Sequence, residues 1–196
     1  MATANEIVNM AIAMVGGNFV DEYTDTSDQS TEAVLARLFY TMSVNAVFEI
    51  AEWVFAFTIV VPDSEDITET SQDDVFTYRI SRTSDMANIV AVSEDGTFKD
   101  NVVWKATASH IYTQAETVYI KYVDNTVSND DWPELFTSLV ASYIATKLAF
   151  PISKDMELTK NVRNQFLLDL DIAQTPDMDQ DISPDTTNNV RIIDCR

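Results

Sequence analysis

From Leu135 to Ile152 the chain carries a single charge, Lys147. A helix that is apolar nearly all round has to be enclosed by neighbours. Whatever this chain folds into therefore has that segment at its centre. Leu135, Phe136, Leu139, Val140 and Tyr143 would form one face. Ser138, Ala141, Ser142, Ala145 and Ala149 would form a small-residue face where another backbone comes close. Asp131 is expected to cap this helix, with Pro133 in its first turn and Glu134 at capping-box distance. Phe150-Pro151 is expected to break it, and Ser153 to cap a following helix. There Leu158, Val162, Phe166, Leu170 and Ala173 recur at helical spacing as the inward stripe.

The rest of the chain reads as parts attached to this pair. A first helix is expected from about Ala4 to Val15, with a Thr3/Glu6 capping box, a buried stripe of Ile7, Met10, Ala11 and Met14, and a stop at Gly16-Gly17. An acidic loop, 18–29, would be pinned by Phe19, Val20 and Tyr23. A long helix is expected from Ser30 to about Glu52, with Leu35, Leu38, Phe39, Met42, Ala46 and Ile50 pointing inward, then Trp53. Phe55, Phe57, Ile59 and Val61 alternate as in a strand that Pro62 ends, and Asp63–Asp74 reads as a solvated acidic loop. Strands are then expected at Phe76–Ile80 and Asn88–Val92, a hairpin at Asp95-Gly96, and strands at 102–108, 110–113 and 117–123, all in one small antiparallel sheet. After Pro176 periodicity is lost, and the chain closes on a short apolar patch, Val190-Arg191-Ile192-Ile193.

The expected fold is therefore α+β. Two N-terminal and two C-terminal helices form a four-helix core, with a small antiparallel β lobe at about 55–127 inserted between them. Residues 1–175 make one domain, and 176–196 an extended C-terminal arm. At 196 residues such a chain buries roughly 70% of its unfolded surface, enough for an ordinary core.

The net charge is -20, from 32 acidic and 12 basic residues. Such a surface repels phosphate, which argues against general electrostatic binding to DNA or to an anionic membrane. The one cysteine, Cys195, allows no internal disulfide and no thiol metal site, and fits synthesis in a reducing cytosol. No basic region precedes the first apolar run, so no secretory signal is expected. Lys147 with several Ser and Thr makes the longest apolar run a poor membrane span.

No catalytic constellation stands out. The one histidine, His110, would have to meet Cys195 to form a nucleophilic pair. Gly16-Gly17 lack the lysine and helix of a phosphate loop. The acidic run 63–74 lacks the spacing of a calcium loop. No catalytic, cofactor-binding or metal residue is assigned. Trp53 and Trp132 read as core, and Trp104 as core or ligand-stacking. Lys154, Lys160 and Arg163 crowd three of the twelve basic residues into ten positions. They read as a solvated face or as partners for acid on another subunit. Val190, Arg191, Ile192 and Ile193 read as a frayed end or as a docking arm.

The order of these parts resembles the head-to-tail adaptor of short-tailed bacteriophages, the tail tubular protein A family. The residues that carry the resemblance run from about Glu6 to Ala173. They are Ile7-x-x-Met10-Ala11-x-x-Met14-Val15-Gly16, then Ala33 to Tyr40 followed by Glu49-x-x-x-Trp53-x-Phe55-Ala56. Phe76-x-Tyr78-x-Ile80, Asp85-Met86 and Ile89-Val90-x-Val92 follow. The most specific piece is Ile120-x-Tyr122-Val123, Trp132-Pro133-x-x-Phe136 and Ile144-Ala145-x-x-x-Ala149-x-Pro151-Ile152-Ser153. The sequence departs from the family at Val44 or Asn45, where a basic residue is usual, at Ser81, where a proline is, and in the apparent insertion 63–74. The resemblance implies a non-enzymatic virion protein of the neck or tail, made in the bacterial host cytoplasm. It implies a dodecameric homo-oligomeric ring between portal protein and tail nozzle protein, with genomic DNA passing through unbound and no membrane or cofactor. The over-apolar third helix would then take part of its cover from a neighbouring subunit. Two other readings stay open: a neck connector or stopper of a long-tailed phage, and a hydrolase using carboxylates, which would need a carboxyl with raised pKa in a cleft.

Overall fold

The computed structural model describes residues 2–67, 75–99 and 102–178. Four helices and two antiparallel sheets build an α+β fold. The helices are α1 (Ala4–Val15), α2 (Thr31–Ile50), α3 (Glu134–Ser153) and α4 (Met156–Met178). Between α2 and α3 lie β1 (Phe57–Val60), β2 (Glu65–Asp66), β3 (Tyr78–Ser81), β4 (Met86–Ser93), β5 (Trp104–Ala106), β6 (His110–Thr113) and β7 (Tyr119–Asp124). The inserted β lobe and four-helix core are as the sequence leads one to expect.

α3 is the axis of the helical core, with α1, α2 and α4 each packed against it. Phe136, Leu139, Val140, Ile144 and Leu148 are fully buried or nearly so, and the small face Ala141, Ser142, Ala145 and Ala149 is buried too. Only its ends are open, at Leu135 and Phe150. This corrects the expectation that a neighbouring subunit covers part of α3: its own chain covers it. The N-terminal end of α3 closes an aromatic cluster. The Phe136 ring lies 4.8 Å from Phe48 and from Phe55, 5.0 Å from Trp53 and 5.1 Å from Trp132. Trp53 and Trp132 are core residues, each with its indole N–H donating to a backbone carbonyl, of Val47 and Val127 respectively.

Several local expectations change. The Thr3/Glu6 capping box is present, and Gly16 ends α1 at φ +73°. The buried stripe of α1 is Ile7, Val8, Ala11, Ile12 and Val15, while Met10 and Met14 sit at its margin, over a third exposed. Val20 is buried and Tyr23 packs on Tyr40, but Phe19 points out. Asp131 does not cap α3. Ser128 instead caps a 3-10 turn at Asn129–Asp131, and α3 starts after Pro133 with no side-chain cap. Pro151 does not break α3, which runs through it to Ser153. Lys154 takes the left-handed conformation at φ 54°, and Asp155 caps α4 by accepting from the backbone of Glu157 and Leu158. Proline lacks the N–H for an i−4 bond and its ring crowds the i−4 carbonyl, so α3 carries it only in its last turn and ends two residues later. The α4 stripe is as expected: Val162, Phe166 and Ala173 are buried, with Leu158 and Leu170 partly so. α4 runs past Pro176 to Met178.

The β lobe is two sheets rather than one, in the orders β1-β7-β4 and β2-β3-β6-β5. The chain alternates between them. Asp95-Gly96 is thus a turn but no hairpin, because β4 pairs with β7 while β5 pairs with β6. Gly96 has φ +67°, and a Cβ there would meet the Tyr119 ring at 3.0 Å, so two constraints select glycine. The start of the acidic run is not loop either, since Glu65 and Asp66 pair with Arg79 and Tyr78. The strand expected from Phe55 begins at Phe57, after a 3-10 turn at Val54–Ala56, and Ile59 is exposed. Strand alternation joins the lobe to the helices. On β7, Val123 faces the helical core, while Ile120 and Tyr122 join Ile80, Met86, Val92 and Ile111 in a second core.

Candidate contact surfaces

α4 turns one face to α3 and the other outward. The hairpin is registered by Ser142, whose hydroxyl donates to Asp169, and by the Tyr143 and Phe166 rings at 5.0 Å. On the outward side Lys160 and Arg163 are exposed one turn apart, so they act as neighbours. Lys154 is set apart from them in the inter-helix turn. Among the described residues none of the three side chains has a hydrogen bond or ion pair. Around them stand Met156, Leu167, Leu168 and Ile172, each more than half exposed. The outer face of α4 is therefore apolar with charges of both signs, because Glu157 and Asp171 are exposed on it beside Lys160 and Arg163. Val190, Arg191, Ile192, Ile193 and Cys195 lie outside the described residues, as do Glu69, Asp73 and Asp74 of the acidic run.

α2 presents a second surface of different chemistry. Its inward residues are Ala33, Ala36, Ser43, Val44, Val47 and Phe48. The expected inward positions Leu38, Met42 and Ile50 face solvent, Leu38 at 64% exposure and Met42 at 51%. Val34, Leu38 and Met42 fall at i, i+4, i+8, flanked by Thr31, Thr41 and Asn45, so the exposed stripe is apolar and uncharged. In a chain of charge -20 that is an unusual stretch of surface. α2 and α4 sit on different sides of α3, with α1 touching each of them.

Below the stripe, a cavity of about 490 Å³ lies between α2 and the loop 125–130. Tyr40, Asn45, Asn125, Asn129 and Trp132 line it. The Asn129 amide donates to the Tyr40 hydroxyl at 3.0 Å, tying the loop to α2 across the wall.

The described carboxylates whose pKa moves are all held below their usual range. The Asp25 and Asp28 carboxylates accept from the backbone N–H of Ser27 and Ser30, each at 2.8 Å, and Glu32 accepts from Asn18 at 3.0 Å. Hydrogen bonds from Thr97 and then Ser93 lower Asp95 to about 2. The acidic surface near these groups stays ionised. Arg37 anchors the 18–29 loop by donating to the carbonyls of Tyr23, Asp25 and Asp28. The Tyr122 hydroxyl donates to Asp85 at 2.9 Å; burial, then that bond, raises the phenol to about 12.

His110 is half-buried, with Nδ1 2.9 Å from Ser109 Oγ. Trp104 is partly buried against the second core. Among the described residues no three His, Cys, Asp or Glu side chains are grouped to hold a metal. α2 and α3 are each long and apolar enough to cross a membrane by length and composition alone, a test that an enclosed core helix also passes. For α3 the apolar surface is accounted for by its enclosure. No protein-family model matches the chain, and no curated protein matches it.

Proposed function

We propose that the chain is a structural, ring-forming head-to-tail adaptor of a bacteriophage neck, joining a portal to a tail nozzle. One observation carries most of this reading beside the sequence resemblance. Each chain exposes two unlike apolar surfaces on different sides of one core: the uncharged stripe of α2 and the outer face of α4, where apolar residues stand among charges of both signs. A symmetric dimer needs one self-complementary patch, whereas head-to-tail contacts need two different ones, and these close into rings when the rotation allows. The strong negative charge supports a conduit that duplex DNA passes without adsorbing.

The test is a pair of single substitutions, Leu38→Glu on α2 and Leu167→Glu on α4. Both positions are exposed, so the free fold tolerates them. Each variant is expected to abolish a ring that native mass or particle imaging detects for the unaltered chain. Rings that survive both substitutions, or a two-fold dimer in place of a ring, would count against the reading.

A further inference from the structure

The two sheets have four edges, and three of them are guarded. β2 is two residues long and acidic, Glu65-Asp66. β5 is three residues long and carries Lys105. β4 shifts register twice along β7, between Met86 and Asn88 and between Ile89 and Ala91. Shortness, charge and bulges are the usual ways an exposed edge is kept from pairing with another strand. β1 has none of these. It reads Phe57-Thr58-Ile59-Val60, followed by Val61, with no charge and no proline before Pro62. Among the described residues it pairs only with β7, so every second residue turns its N–H and C=O to an empty side. Ile59 and Val61 are about half exposed beside that edge.

We propose that the edge of β1 is occupied by the C-terminal segment Val190-Arg191-Ile192-Ile193 of the same chain, added as a further strand. The place where the chain leaves α4 argues for this occupant. Ser142 meets Asp169 and Tyr143 meets Phe166, so α3 and α4 run antiparallel, and the same register sets Ala173 level with Phe136. Phe136 touches Phe55, two residues before β1. The arm thus departs beside the start of the strand whose edge is free. From Met178, twelve residues reach Val190, a span of roughly 40 Å when extended, ample for a return along β1. The segment is rich in β-branched residues and lacks proline, which suits a ladder. Its alternating apolar side chains would cover Ile59 and Val61 as cross-strand neighbours. The pairing does not depend on the chain's being an adaptor. In an assembly, the same segment would have to leave this edge before it could dock elsewhere.

In the proposed pairing Ile192 lies across from Ile59, while Cys195 is three residues on and faces the other side of the sheet. In the full-length Ile59→Cys, Ile192→Cys, Cys195→Ser variant, mild oxidation is expected to give an intramolecular disulfide between the two new thiols, seen as a faster-migrating monomer on a non-reducing gel. Adding Ile193→Pro removes a ladder N–H from the arm without changing its tether. It is expected to slow that cross-link about tenfold, since docking and not proximity alone sets the effective concentration of the thiol. An unchanged rate in the proline variant would overturn the proposal. Disulfide-linked dimers in place of the monomer would overturn it too, and would assign the edge to the arm of a second copy.

Discussion

Arg37 shows how much one side chain organises. Its guanidinium closes three carbonyls of the acidic 18–29 loop, and those groups have no other cation nearby on the loop itself. Hydrogen bonds to a charged group are each worth more than neutral ones, though the loop is partly open to water. Arg37→Ala is expected to cost about 2 kcal/mol in chemical denaturation. Amide exchange should quicken across residues 23–28 and not in α3. Lys154 makes the opposite case. Its position first suggests a contact residue, yet its backbone is the left-handed end of α3, donating to Phe150. A side chain costs about 1 kcal/mol there relative to glycine. Lys154→Gly should therefore raise the unfolding midpoint by a comparable amount. A fall would mean that the lysine side chain has a partner worth more than the backbone strain.

At the scale of elements, legibility follows from how each helix makes its contacts. The α4 stripe is plain in the sequence because large apolar residues recur on one face and polar ones on the other. α3 is plain as the centre because it has no polar face, but the source of its cover is not. Hydropathy says how much surface must be hidden and not by whom. α2 misleads in the other direction. Its inward face is built from Ala33, Ala36 and Ser43, small residues that bring the backbone close, while Val34, Leu38 and Met42 stand outward. A periodicity weighted by bulk selects the wrong side. The strands were found nearly where alternation placed them, but their division into two sheets was not, because pairing β4 with β7 and β5 with β6 is a choice among distant partners. Of the candidate contact surface, Lys160 and Arg163 were legible as a local excess of charge. Leu167, Leu168 and Ile172 were missed, because an amphipathic helix with a clear inward stripe leaves its other apolar positions unremarked.

The whole molecule responds to pH through its acid groups. With a charge of -20 at neutrality and a pI near 4.1, mild acidification relieves self-repulsion. A second effect sets in lower. Glu6, Asp25, Asp28, Glu32, Asp85 and Asp95 all have folded pKa values below their unfolded ones. Groups depressed in this way contribute stability that is present above the unfolded pKa and is lost as pH falls through the folded one. For Asp95 that window runs from 3.8 down to about 2. Thermal unfolding between pH 7 and 2 should show a midpoint that holds or rises toward pH 4 and then drops. In added salt the rise should flatten and the drop remain, because hydrogen-bonded carboxylates are screened less than surface repulsion.

The placement of the β lobe also sets a timetable. α1 and α2 meet each other only lightly, and both complete their burial against α3. On the ribosome, the two N-terminal helices must therefore wait for a partner that is translated only after the entire lobe. Until then Ile7, Ile12, Val47 and Phe48 have nowhere to go. The lobe, whose last strand closes its own core, is the part able to settle first, and the two N-terminal helices assemble around a helix that arrives only after it.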